Sequence, residues 1–286
     1  LEAPEGQIDD IIFRVPQIIF AEASPVYTLN EVSPVFASNA PVFHQNPYLE
    51  LNGRGVLVGI VDTGIDYMNT EFMKEDDTTR IISIWDQTLP VEGNTSFAEY
   101  GVVYSEEDIN NAINTSLNGG DPYSIVKSRD EIGHGTMVAG IVGARGKNPD
   151  IIGAAPDCEF AIVKLKEASK LYLKNFGITK PGVGRYENID IILGIKHIVD
   201  EANRRKMPVV IYIPLGTNVG PHDGSSILER FIDDISKRRG LVVVTTTGNQ
   251  GDTDTHTFGS IESSGNTDTI ELKVGTNQSD LYFEIW

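Results

Sequence analysis

Five near-continuous apolar runs, spaced along the chain and separated by stretches with helical periodicity, restrict the fold more than any other feature. They are Val56–Val61, Arg80–Trp85, Glu159–Leu165, Val209–Ile213 and Leu241–Thr246. A run without polar alternation reads as a strand covered on both faces, which is the habit of parallel sheets. Between the runs, Ile109, Ala112, Ile113 and Leu117 share one helical face, and Ser105 with Asp108 forms a capping-box pattern ahead of them. Ile189, Ile192, Leu193, Lys196 and Val199 form a second face, followed by Arg204, Arg205 and Lys206, where cations suit the helix dipole. Ile227, Phe231 and Ile235 form a third, with Gly240 as its expected C-cap. The predicted fold class is α/β: a parallel sheet with helices on both faces.

Charge and cysteine content exclude several classes. The 286 residues carry 41 acidic and 23 basic side chains, a formal net charge of −18. That field repels a phosphate backbone, so no nucleic-acid partner is expected. The single Cys158 excludes an internal disulfide. The apolar runs are too short to span a membrane. The chain starts Leu1-Glu2-Ala3-Pro4, which reads as a trimmed or processed product.

Residues 1–48 hold six prolines and read as an extended N-terminal segment, with Pro16 breaking two short β-like runs. Residues 49–255 carry the strand–helix alternation. In residues 256–286, Ile270, Leu272 and Val274, then Leu281, Phe283 and Ile285, alternate with polar residues. This is antiparallel hairpin character, expected to begin a β domain.

Three segments carry chemistry. Asp62 ends the first buried run in Val61-Asp62-Thr63-Gly64, at the end of a strand where α/β sheets place their sites; an Asp there serves equally well as a turn cap. His134 opens a helix-like run, Gly133-His134-Gly135-Thr136-Met137-Val138-Ala139-Gly140. A helix N-terminus disfavours the imidazolium, so a carboxylate is needed beside it; as a lone His it reads as a cap or core residue. Asn249 follows the last run, in Thr246-Thr247-Gly248-Asn249, where its amide can donate to an oxyanion or simply make a turn.

Together, and in this order, the three segments resemble the subtilisin-like serine proteases over most of residues 53–251. The resemblance implies that Asp62 orients, that His134 is the general base and that Asn249 is an oxyanion donor. It also implies that Leu215, Gly216, Thr246, Thr247 and Gly248 form the substrate edge and pocket. Pro214 stands where that family commonly has Ser and removes one backbone donor. The family's nucleophile motif, Gly-Thr-Ser-x-Ala, is absent from the 286 residues. The 72 positions from Asp62 to His134, and the run Gly216–Gly224, most resemble the Csp-type germination proteases of spore-forming bacteria. That branch interrupts its catalytic domain with a jelly-roll β domain, so the Ser is expected beyond residue 286 or on a companion fragment.

The implied partners are a protein or peptide substrate and the protein's own propeptide, of which residues 1–48 would be the tail. The implied location is secreted or spore-associated, and a non-catalytic binding and signalling role is the alternative. No cofactor is expected. His222-Asp223 and Glu75-Asp76-Asp77 are weak metal candidates, better read as a turn and a solvated loop. No His or Cys set has zinc spacing. Cys158 reads as a small core residue, and His197 and His256 have no assigned partner.

Overall fold

The computed structural model describes Arg14 and residues 34–44, 46, 48–90, 100–178, 184–249, 255–274 and 282–285. The chain divides into two compact units, Leu1–Ser33 and Pro34–Trp286. Apart from Arg14, the first unit lies outside the described residues, as do the two β-like runs around Pro16.

The second unit opens with two short helices, α1 (Pro34–Ala37) and α2 (Ala40–His44), where an extended lead-in was expected. Pro41 lies in the first turn of α2, where its missing amide hydrogen has no helical partner to lose. His44 Nε2, 2.8 Å from the Ala154 carbonyl, ties α2 to the body.

Six strands follow: β1 (Leu57–Asp62), β2 (Ile81–Asp86), β3 (Val102–Ser105), β4 (Glu159–Lys164), β5 (Val209–Ile213) and β6 (Leu241–Thr245). They form one sheet in the order β3-β2-β4-β1-β5-β6. All pairings are parallel except β2 with β3, where Ile84 faces Tyr104 and Asp86 faces Val102. The antiparallel β3 has no counterpart among the predicted strands. It is short and at an edge, and it lacks the apolar run that marks the buried strands.

Helices α3 (Glu106–Leu117), α4 (His134–Gly143), α5 (Lys170–Asn175), α6 (Asn188–Arg205) and α7 (Ile227–Ser236) fill the connections. The expected capping box starts α3: Ser105 Oγ accepts from the Asp108 amide, and the Asp108 carboxylate accepts from the Ser105 amide. Two cores sandwich the sheet. On one face Val58, Ile60, Phe160 and Ile162 pack with Ile109, Ala112 and Ile113 of α3 and Val138 and Ala139 of α4. On the other, Val61, Ala161, Val163, Ile211 and Ile213 pack with Ile195, Ile198, Val199 and Ala202 of α6 and with Ile235 of α7. The alternation along each strand sends successive side chains to opposite cores.

The α6 face differs from the sequence reading: of the five residues expected on it only Val199 is buried, Ile192 and Leu193 are half-buried and Lys196 is exposed. The buried stripe of α6 is Ile191, Gly194, Ile195, Ile198, Val199 and Ala202, while Ile189 is exposed. Gly194 belongs to it because α6 lies close to β4: a Cβ there would come within 3.0 Å of Val163. A glycine adds nothing to a hydropathy stripe, so the neighbouring isoleucines set the apparent face. Leu117, in the last turn of α3, is exposed. Helix α7 ends at Ser236 with Lys237 as cap, and Gly240, at φ +81°, instead shapes the turn into β6.

Of the alternating segment near the C-terminus, Leu281 and the turn expected at 277–280 lie outside the described residues. Residues 255–274 and 282–285 form no strand among the described residues, and their side chains are exposed. A two-stranded ribbon gains little in water without a face to pack against.

Glu71 secures the loop after α4. Its buried carboxylate accepts from the amides of Gly146 (2.8 Å), Lys147 (3.1 Å) and Asn148 (2.6 Å). Three charge-assisted bonds are lost together in Glu71→Ala, which is expected to lower folding stability by on the order of 3 kcal/mol in urea titration.

Candidate active site

Four parallel strands, β1, β4, β5 and β6, end at one sheet edge, and the sequence-singled residues lie there. Asp62 is the last residue of β1 and is fully buried. His134 is the first residue of α4, and its side chain is 42% exposed. His134 Nδ1 lies 2.8 Å from both Oδ1 and Oδ2 of Asp62. An ionised carboxylate only accepts, so Nδ1 carries the proton and Nε2 keeps its lone pair. Among the described residues Nε2 has no hydrogen-bond partner, which leaves it available to take a proton.

The start of α4 is built to hold this contact. A helix leaves its first amides without intrahelical partners. Here the Gly135 amide donates to Thr63 Oγ1 (2.8 Å), and the Thr136 amide donates to Asp130 Oδ2 (2.8 Å). The N-cap, Gly133, sits at φ +83°, a left-handed conformation that strains any residue with a Cβ. Its amide donates to Asp130 Oδ1 (2.8 Å). Asp62 also accepts from the Thr63 amide at 2.6 Å. The Asp130 carboxylate lies near the positive end of α4, which favours its charged form.

Asp130, absent from the sequence-derived site, is thus part of it. Burial resists its ionisation. Hydrogen bonds from the Thr136 and Thr63 hydroxyls and from the Thr136 and Gly133 amides outweigh that and hold its carboxyl below the usual range. The sequence signal was its place four residues before the His, in Asp130-Glu131-Ile132-Gly133-His134.

Lys164 ends β4 in register with Asp62. Its Nζ donates to the Arg129 carbonyl and to Glu131 Oε2, both at 2.7 Å, and lies 3.8 Å from buried Asp86. It thereby moors the loop that leads to His134. Tyr186 lies within the electrostatic reach of the site: burial first, then the Asp62 charge, pushes its hydroxyl up to about 12.

The remaining predicted residues follow β5 and β6 at the same edge. Leu215 is half-buried against the core and Gly216 is exposed, as are Thr246, Thr247, Gly248 and Asn249. The β5–β6 ladder ends at Ile213–Thr245, so the backbone of 214–216 lies beyond it. Asn249 stands four residues past the end of β6, and β6 lies two strand positions from β1, a lateral spacing of about 10 Å between the two strands.

The weaker candidates have structural partners. Glu75 pairs with Arg145, Asp77 with Lys147, and Asp76 accepts from Thr78. His222 and His256 stack at 4.3 Å, and His197 packs on Trp85. Among the described residues no group of three or more His, Cys, Asp or Glu is placed to hold a metal. Burial pushes the Cys158 thiol up to about 12, which removes it as a nucleophile.

Residues 53–275 match the Subtilase family. The chain is 34% identical over 128 residues to the major intracellular serine protease of Bacillus subtilis strain 168, covering 45% of this chain and 33% of that protein. It is 26% identical over 208 residues to the intracellular serine protease of Paenibacillus polymyxa, covering 73% of this chain and 46% of that one. The solved structure of the CspB protease of Clostridium perfringens superposes with a TM-score of 0.63 at 34% identity, over 77% of this chain and 42% of that one. The chain thus spans less than half the length of each of these relatives. Both curated relatives are named intracellular, which gives no support to a secreted location.

Two outcomes test the geometry. A Cβ on Gly135 would sit 2.2 Å from the Gly64 carbonyl oxygen, so Gly135→Ala is expected to push α4 off β1 and destabilise the fold by about 1–3 kcal/mol in urea titration. The folded-state pKa of Asp130 lies below its unfolded value, so its contribution is complete above about pH 4 and is lost as pH falls through the depressed value. The stability difference between wild type and Asp130→Ala, measured by denaturation across pH, is expected to shrink toward acid.

Proposed function

The chain belongs to the subtilase family, and on that premise we propose that it supplies the acid, the base and the oxyanion donor of a serine endopeptidase. The observation that carries this reading is the fully buried Asp62 carboxylate 2.8 Å from Nδ1 of a half-exposed His134. Asp62 fixes the tautomer and stabilises the imidazolium that forms when Nε2 takes the proton of a serine hydroxyl. The hydroxyl oxygen then attacks the peptide carbonyl, and the side-chain amide of Asn249 donates to the oxygen that becomes negative. The imidazolium returns its proton to the leaving amine. An extended substrate pairs with the backbone at Leu215 and Gly216, while Thr246, Thr247 and Gly248 bound the pocket for the residue before the scissile bond.

The nucleophile comes from a segment outside residues 1–286, in the same polypeptide or on a companion fragment. Two observations favour this. The Gly-Thr-Ser-x-Ala motif is absent from the sequence. Helix α4 is apolar almost all round, yet Met137 and Ile141 are exposed, as are Val242 and Val244 of edge strand β6. Apolar surface of this kind beside a site marks a place for a covering element. Residues 256–286 begin an inserted β domain, residues 1–48 are a propeptide tail, and the substrate is the pro-form of another protein, as in the germination branch. The missing motif also favours a second reading, a non-catalytic member that binds a ligand or partner.

The complete protein separates the two. It is expected to cleave peptide substrates and to label with a fluorophosphonate directed at serine nucleophiles. His134→Ala should lower turnover by about a thousandfold or more. Absence of labelling in a folded, complete protein would favour the binding role.

A further inference from the structure

Asp62 and His134 stand 72 residues apart, on a strand end and a helix start. Their contact depends on how one rigid element is set against the other. Resting on the acid–base reading above, we propose that Asp130 is the positioning residue that sets this register, gripping both sides of the contact with one carboxylate. On the strand side, Asp130 Oδ1 accepts from Thr63 Oγ1 at 2.7 Å. On the helix side it accepts from the Gly133 amide at 2.8 Å, the Thr136 amide at 2.8 Å and Thr136 Oγ1 at 2.6 Å. These four donors match the lone-pair capacity of a carboxylate.

The grip passes to the two reacting groups through residues adjacent to them. Thr63 gives its amide to Asp62 Oδ1, while its hydroxyl, oriented by Asp130, accepts from Gly135 next to His134. The Thr136 hydroxyl, oriented by the same carboxylate, accepts from the Asp66 amide at 2.9 Å, so the helix is bonded back to the segment that follows β1. Asp62, Thr63, Asp130, the first turn of α4 and His134 therefore close a ring of hydrogen bonds. An ordinary helix cap would bond only to its own helix. Asn in place of Asp130 turns one oxygen into a donor facing donors, so the ring opens although the shape is kept.

The ring predicts a signature independent of catalysis. In the 286-residue chain with 15N-labelled histidine, the His134 resonances, assigned by their loss in His134→Asn, should report a dominant Nδ1–H tautomer bonded to Asp62. Asp130→Asn and Thr63→Val are each expected to reduce the Nδ1–H preference by about tenfold. Thr63→Ser, which keeps the hydroxyl, should retain it. Glu71→Ala, which weakens the fold away from the ring, should lower the urea midpoint and leave the signature intact. Full retention in folded Asp130→Asn and Thr63→Val would overturn the positioning role. Loss of the signature in Glu71→Ala to the same degree would also overturn it, because general loosening would then explain the effect. A wild-type chain without a dominant Nδ1–H tautomer would instead sink the acid–base reading itself.

Discussion

Backbone contact between the first turn of α4 and the end of β1 is the constraint on which the site depends. Gly135 lies so near the Gly64 carbonyl that no side chain fits between them. That approach removes water from the helix start, where amides would otherwise be solvated, and each must then find a protein acceptor. Thr63 and Asp130 supply them. The buried Asp62 charge is tolerated for a related reason: it accepts from an amide and an imidazole at the positive end of a helix.

The carboxyl edge of the sheet collects other buried charges. Asp190, on the inner face of α6, accepts from Lys166 and from Tyr100. Asp86 accepts from the amide and hydroxyl of Thr88, and Lys164 lies beyond ordinary bonding distance at 3.8 Å. Lys164 spends its hydrogen bonds on Arg129 and Glu131, in the loop before His134. The chain is strongly acidic as a whole, yet this edge is a mixed network that fixes loops. Its contribution is to geometry more than to stability, since burying ion pairs carries a desolvation cost close to what they return.

The two sides of the sheet are unequally covered. Helices α6 and α7 close one face from β2 to β6, while α3 and α4 close the other only as far as β1. Val242 and Val244 of β6, and Met137 and Ile141 of α4, keep substantial exposure. The same region holds β6, which ends the sheet among the described residues, and the exposed Thr246–Asn249. The site therefore has one wall that carries Asp62 and His134, and an open side.

Local signals determined most of the scaffold. Apolar runs marked β1, β2, β4, β5 and β6; in β1, β2 and β4 the reason is that a strand buried on both faces needs apolar side chains at nearly every position, whereas β6 keeps its run with Val242 and Val244 exposed. The Ser105–Asp108 box marked the start of α3, because a cap is satisfied within four residues. The motifs around Asp62 and His134 singled out the pair. Tertiary structure alone decided the rest. Strand β3 is held by its partner and not by its own pattern. The inner face of α6 was set by how close Gly194 brings it to β4. Among the described residues near the C-terminus, Ile270, Leu272 and Val274 are exposed and form no strand, so period-two hydropathy alone does not make a ladder. The place of Asp130 four residues before the His was legible, but its bond to Thr63, 67 residues away, was not. Periodicity and capping act over one turn or one strand, whereas the register of two elements 72 residues apart exists only once both are packed.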